Sequence, residues 1–330
     1  MRQLRSKSYA ARSANSVSAR FGISRYRQIG TLSGLLSLSL VLWILSPYFL
    51  TVSNLLNIAE QTSIIAVVAA GMTFVIIAGG IDLSVGSLLA FSGVVMASSL
   101  SAGRSIPLAL MTGLAVGLLC GIANGLLISI GRLPPFIATL GMMSIARGGA
   151  LVFTEGRPIS GFSETFRSIA TTNVLRVPFP VIVMLGVYIL CHLALARTKL
   201  GRYAYAIGGN ETAALLSGVN VHLYKTMVYG LSGICSALAA VLLTARLNSA
   251  QPIAGINYEL DAIAAVVVGG TSLMGGEGSV AGTLIGALII GVLRNGLNLL
   301  AVSSFIQQIV IGFVIVIAVL MDTFFKGRGK

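Results

Sequence analysis

Charge is what this sequence has least of. Only 9% of its 330 residues are Asp, Glu, Lys or Arg, while 56% are hydrophobic and the mean hydropathy is +0.94. Soluble domains carry about 25% charged residues. A chain with so few cannot cover a water-facing surface, which excludes a soluble globular protein and leaves a polytopic membrane protein. Cysteine is scarce too. Cys120, Cys191 and Cys235 are scattered through apolar stretches with no CxxC pair, so they read as small buried hydrophobes. The two histidines, His192 and His222, have no acid or thiol cluster around them, which argues against a metal site.

Two kinds of chemistry are excluded with them. No GxxxxGK[ST] occurs, so the chain does not cradle a nucleotide phosphate by itself. "GEGSVA" at 276–281 fits GxGxxA but follows no strand of a βαβ unit. "GLSG" at 230–233 suggests a rhomboid-type intramembrane serine protease with Ser232 as nucleophile, but that enzyme needs an activating histidine on a later span. None follows His222.

What is present is a series of long apolar windows. Ten are predicted as spans: 29–49, 58–78, 84–101, 106–130, 136–153, 178–196, 223–247, 263–274, 280–300 and 304–322. The eighth is short and glycine-rich, and the third starts directly after "GGIDLS". The first window has no A-x-A cleavage site, so it reads as an uncleaved span rather than a secretory signal.

The net charge of +13 invites a nucleic-acid reading, which its distribution opposes. Seven basic residues (Arg2, Arg5, Lys7, Arg12, Arg20, Arg25, Arg27) precede the first apolar window among serines, as in a cytoplasmic tail touching anionic headgroups. With ten spans and a cytoplasmic N-terminus, the inner side also holds Arg132, Arg197, Lys199, Arg202, Lys225, Lys326, Arg328 and Lys330. The outer side holds Arg104, Arg157, Arg167 and Arg176. Fifteen against four obeys the positive-inside rule. The expected organisation is a basic tail over 1–28, a transmembrane domain over 29–325 with a cytoplasmic loop at 197–222, and a basic tail over 326–330. The fold class is all-α, with both termini cytoplasmic.

Gly113, Gly117, Gly121 and Gly125 recur every fourth residue, a face that admits close helix packing. "GGIDLSVGSLLA" (79–90) echoes "GGEGSVAGTLIG" (275–286), a weak internal repeat of the kind transporters contain and also one that glycine-rich sequence produces by chance.

Few polar residues fall inside the spans. A carboxylate such as Asp82 is costly there and marks a functional site by default, although its place before a helix also suits an N-cap or packing role. Asn295 and Asn298 share a helix face, and Asn124 lies in the fourth span. Their amides suit a hydroxyl-rich solute on a translocation pathway and equally suit interhelical hydrogen bonds. Arg157, Arg167, Gln251, Glu259 and Asp261 belong to outer segments, where they either meet a ligand or protein or form a solvated rim.

"AIGGNETAALLSGVNV" (206–221) sits in the long inner loop. Asn210 is a natural N-cap, Glu211 suits the positive end of the helix dipole, and Gly218 suits C′. The roughly seven helical residues between them are about half of what an isolated helix needs. Such a helix must lie on a surface, either its own spans or a cytoplasmic partner.

The blocks "AGGIDLSVGSLLA", "LGRYAYAIGGNETAALLSGVNV" and "YELDAIAAVVVGGTSLMGGEGSVAGTLIGALIIGVLRNGLNLL" together resemble the permease subunit of ribose-type ABC importers, in the branched monosaccharide permease family, over residues 30 to 325. The resemblance implies a paired permease (a homodimer), a separate cytoplasmic ABC ATPase that uses ATP, a periplasmic or extracellular sugar-binding protein, and a place in the bacterial cell (inner) membrane. This chain would be no enzyme and would bind no cofactor or nucleic acid. Its substrate is expected to be ribose, with another pentose, hexose or sugar-like signal as the alternative and selectivity mainly in the binding protein. The resemblance makes 208–219 the ATPase-coupling helix, with Gly208, Gly209, Asn210, Glu211, Ala214, Ser217 and Gly218 in it. Family members carry Lys or Arg where this chain has Glu277, and the basic extension before residue 28 has no counterpart. A stand-alone channel or ion-coupled carrier is the competing reading. A carrier would show several intramembrane acids, where this chain has Asp82 and, near a span end, Glu60.

Overall fold

A computed structural model describes residues 29–327. The basic tail over 1–28, and residues 328–330 of the C-terminal tail, lie outside the described residues. Among the described residues the chain is helical, with four two-residue strands. The helices are α1 (Ile29–Leu45), α2 (Val52–Ile77), α3 (Val85–Ser101), α4 (Ile106–Ser129), α5 (Pro135–Thr154), α6 (Glu164–Thr171), α7 (Phe179–Arg197), α8 (Lys199–Gly209), α9 (Glu211–Leu216), α10 (Val221–Leu247), α11 (Tyr258–Val268), α12 (Val280–Leu299) and α13 (Ser304–Gly327). Strands β1 (Ile159–Ser160) and β4 (Ser249–Ala250) pair antiparallel, as do β2 (Asn173–Val174) and β3 (Val177–Pro178).

Each predicted span meets a helix. Six (α2, α4, α5, α7, α10 and α12) are long and apolar enough to cross a membrane. The window at 263–274 is the exception in kind. It covers the end of α11, whose 11 residues reach about 16 Å at 1.5 Å per residue, half of a bilayer core of about 30 Å. The chain then makes a turn at 269–279 in which Gly270, Gly275, Gly276 and Gly278 all take positive φ.

The centre is built from α2 and α10, buried over 83% and 72% of their most apolar windows against 22–33% for α4, α5 and α7. A helix apolar on every side has no face to offer water and belongs inside. The latter three turn large apolar side chains such as Met111, Val152 and Leu190 outward. The four-spaced glycines of α4 explain the tightest contact. A Cβ at Gly117, Gly121 or Gly125 would strike the α10 backbone at Gly233, Tyr229 or Thr226, and one at Gly113 would press on α3. With only hydrogens on that face, α4 and α10 approach backbone to backbone.

These contacts also orient the bundle. Gly117 opposes Gly233 and Gly125 opposes Thr226, so α4 and α10 are antiparallel. The 27 residues of α10 span about 40 Å, which separates α9 at one end from β4 at the other.

Candidate functional site

The segment 198–220, read from sequence as a loop with one short helix, contains two. Helix α8 lays Gly201, Ala204 and Ile207 against the protein and ends at Gly208 and Gly209, which therefore precede the capped helix. The apolar spacing of Leu200, Ala204 and Ile207 was the available signal for α8. Helix α9 is shorter than expected, six residues, but its caps are as expected. The Asn210 side chain accepts the Ala213 N–H at 2.9 Å, and Glu211 occupies the first turn. At the other end Gly218 takes φ +83°. Gly218 N donates to Leu215 O and Val219 N to Ala214 O, at 3.0 and 3.1 Å, the bond pair of a Schellman motif. Only one face of α9 is held. Ala214 is buried with Ile207 and Val221, and Lys225 reaches Glu211 at 2.7 Å. On the other face Leu215 and Leu216 are 55% and 84% exposed, and Ser217 and Gly218 are exposed with them.

Asp82 is fully buried, but it is not the N-cap of α3. Ser84 holds that position, although its hydroxyl caps none of the backbone N–H groups of α3. Asp82 stands two residues earlier in the turn 78–84. Its Oδ1 accepts from Ser84 N at 3.0 Å and from Ser84 Oγ, and its Oδ2 accepts from Ser232 Oγ of α10 at 2.8 Å. Asn124 Nδ2 donates to Ser84 Oγ at 2.9 Å, and Thr139 Oγ1 of α5 donates to Ile81 O at 3.3 Å. The turn is thus tied to α4, α5 and α10, with neutral donors satisfying the carboxylate in an apolar interior. Ser232, the nucleophile of the discarded protease reading, is one of those donors. Ser84, Thr139 and Ser232 were missed because hydroxyls are common in spans and only Asp82 makes these ones matter.

The remaining amides pair between segments. Asn295 exchanges two hydrogen bonds with Asn54 of α2, at 3.0 and 2.8 Å, while Asn298 Oδ1 accepts from Gln307 Nε2 of α13 at 2.7 Å. Of the two sequence readings, these contacts are the interhelical one.

The end remote from α9 is assembled by β1 and β4. Their pairing brings Arg157 and Gln251, both exposed, to the same region, and α6 adds exposed Arg167. Glu259 is half-buried. Asp261 departs from the expectation of a surface contact. It is 1% exposed and accepts Arg294 Nη2 on both oxygens at 2.7 Å, because α11 runs inward beside α12 rather than lying on the rim. Arg246 pairs with Glu60 at 2.8 Å. Arg147 donates to Pro252 O and Ala254 O, both at 2.7 Å, holding the turn that enters α11. Arg147, Arg246 and Arg294 thus each have a partner, as an arginine inside a membrane domain requires. A crevice of about 10 Å³ opens here between Gly93, Thr244 and Gln251, room for about one water molecule.

With this geometry in hand, comparison with known proteins decides the family. Residues 54–319 match the family model described as branched-chain amino acid transport system / permease component. The chain belongs to this family. It is 51% identical to the ribose import permease protein RbsC of Haemophilus influenzae over 294 residues, 88% of this chain and 91% of that protein. To RbsC of Bacillus subtilis it is again 51% identical, over 90% of this chain and 92% of that one. It is 43% identical to the D-allose transport system permease protein AlsC of Escherichia coli over 84% and 86%. No solved structure matches the chain. The permease is a multi-pass protein of the bacterial inner membrane.

Proposed function

We propose that this chain is the membrane-spanning permease subunit of an ATP-binding-cassette importer that brings ribose into the cell, with ATP hydrolysed by a separate cytoplasmic subunit. The observation that carries this reading is identity of 51% with ribose import permeases across nine-tenths of both chains. The chain itself is a transport subunit rather than an ATPase and binds no cofactor. Its partners are a second copy of itself, the ATPase, a sugar-binding protein at the outer mouth, the sugar and membrane lipid.

The α9 end faces the cytoplasm. Arg132, Arg197, Lys199, Arg202 and Lys225 gather there, while Arg104, Arg157, Arg167 and Arg176 lie in connections at the other end, a sorting that supports ten passes with both termini inside. Helix α9 is the coupling helix. Its exposed Leu215 and Leu216, beside a fully capped but six-residue helix, support docking in a groove of the ATPase. Closure of the ATPase pair on ATP then displaces α9 and, through it, the spans, giving alternating access. Arg157, Arg167 and Gln251, all exposed, and half-buried Glu259 meet the binding protein in this reading. Asp82 and Asn124 hold the turn 78–84 rather than touch sugar.

The test is reconstitution of the permease in proteoliposomes with its ATPase and binding protein. ATP-dependent accumulation of ribose is expected, with allose as the competing sugar. Ribose flux that is unchanged when the ATPase is left out would refute the reading.

A further inference from the structure

Three chain segments meet at the cytoplasmic side of the bundle with no side chain between them. One is the end of α8, next to α9. The second is the turn 78–84 after α2, and the third is the turn 269–279 after α11. A Cβ on Gly208 would strike Ile77 O and stand 2.6 Å from Gly276 N. A Cβ on Gly275 would stand 2.9 Å from both Gly208 O and Gly79 Cα, and one on Gly276 would stand 2.9 Å from Gly209 Cα. Gly276 N donates to Ile77 O at 2.9 Å, which ties the second turn directly to the last residue of α2, where the first turn begins. Tyr205 of α8 donates from its hydroxyl to Gly278 O at 2.7 Å. Burial pushes that phenol up to about 12, so it stays a donor at neutral pH.

Each turn leads to a different part of the bundle. The first enters α3 and carries Asp82, bound to Ser232 of α10. The second joins α11 to α12. Backbone packed on backbone has no rotamers in which to absorb a displacement, and a close-packed contact transmits strain. Gly275 and Gly276 take φ +80° and +75°, so a side chain at either is strained as well as crowded.

We infer that this glycine junction transmits the movement of α9 to both turns at once, with Gly208, Gly275 and Gly276 as positioning residues for transport. The inference rests on the proposed role of α9 as the coupling helix. Because both turns touch Gly208, a single displacement reaches α2–α3 and α11–α12 together, and neither half of the bundle moves alone.

The experiment uses the complete transporter in nanodiscs, permease with ATPase and binding protein, resting or trapped with ATP and vanadate. Hydrogen exchange is read on peptides covering 78–84, 210–218 and 269–279, and ribose uptake is measured in proteoliposomes. In the wild type, the ATPase protects 210–218, and trapping changes exchange at both turns. Gly208→Ala keeps the protection at 210–218, loses the response at the turns, and lowers uptake by about 5- to 150-fold, the usual range of a coupling between sites. Gly186→Ala on α7, whose Cβ meets nothing within 4 Å, stays within twofold of wild type. Protection at 210–218 with no response at either turn in the wild type overturns the junction and leaves the docking intact. No protection at 210–218 overturns both. Wild-type uptake by Gly208→Ala overturns the junction, and if that variant fails to fold, the wild-type exchange pattern alone decides.

Discussion

Asp82 and Asp261 are both buried carboxylates, 0% and 1% exposed, close to the start of a helix, and the protein answers them differently. Among the described residues Asp82 meets no cation and is held by three neutral donors from Ser84 and Ser232. Asp261 has a cation, Arg294, on both of its oxygens. The first arrangement spreads a charge over short hydroxyls that fit between closely packed helices. The second spends a long side chain that is itself 36% exposed to neutralise the charge. A carboxylate at the crowded centre of α2, α4 and α10 has no space for arginine, whereas α11 and α12 leave room beside them.

The comparison is broken most severely at Arg294. Arg294→Ala strands a buried carboxylate, and removing one partner of a buried pair costs about 3–5 kcal/mol. The partial exposure of Arg294 puts the expected loss near the lower end, read as thermal unfolding of the purified protein in detergent. Replacing both partners, Arg294→Met with Asp261→Leu, is expected to recover most of that loss. A double variant as unstable as the single one would show that the pair contributes more than relief of desolvation.

At Asp82 each donor matters less because the load is shared. Ser232→Ala removes one hydrogen bond to the carboxylate, about 1.5–3 kcal/mol, and a smaller drop in unfolding temperature than Arg294→Ala gives. If the order is reversed, the neutral network holds Asp82 more tightly than arginine holds Asp261.

A neutral pair gauges how much of either effect is charge. In a double-mutant cycle with Asn54→Ala and Asn295→Ala, the coupling is expected to be about 0.6–1.7 kcal/mol, the range for interhelical hydrogen bonds in membranes. The smallest effect belongs to Lys225→Ala. Its partner Glu211 is 54% exposed, so stability changes by less than about 1 kcal/mol. Glu211→Lys differs, since it sets two positive charges together and loosens α9 from α10. That variant should lower ribose uptake while the protein remains in the membrane, as read by transport and membrane fractionation.

Much of this was legible in the order of residues because it is local. The apolar windows coincide with helices because a span must satisfy every backbone group within itself. Asn210, Gly218 and the residues between them make their hydrogen bonds within a few positions of one another, so the α9 caps were readable directly. The four-spaced glycines gave away a close-packed face, though not which helix it meets. Two elements were misjudged for physical reasons. The window at 263–274 is apolar like a span, yet it is a half-length helix and a turn, because composition carries no information about depth. Helix α8 was read as loop because its polar positions hid the short apolar stripe it lays on the bundle.

The partners were another matter. Asp82 to Ser232, Asn54 to Asn295 and Thr73 to Thr283 are joined across 150, 241 and 210 positions, and nothing near either residue announces the other. The same holds for Gly208, Gly79 and Gly275, each an ordinary glycine in sequence. By itself the sequence determined a membrane-spanning chain, a capped helix too short to stand alone, and the lack of a GxxxxGK[ST] motif, since these depend on composition and on neighbours along the chain. Tertiary structure alone decided which donor answers each buried carboxylate and where the end of α8 touches the turns. Those contacts form only when helices far apart in sequence pack together, and the packing chooses among many chemically equivalent hydroxyls, amides and glycines.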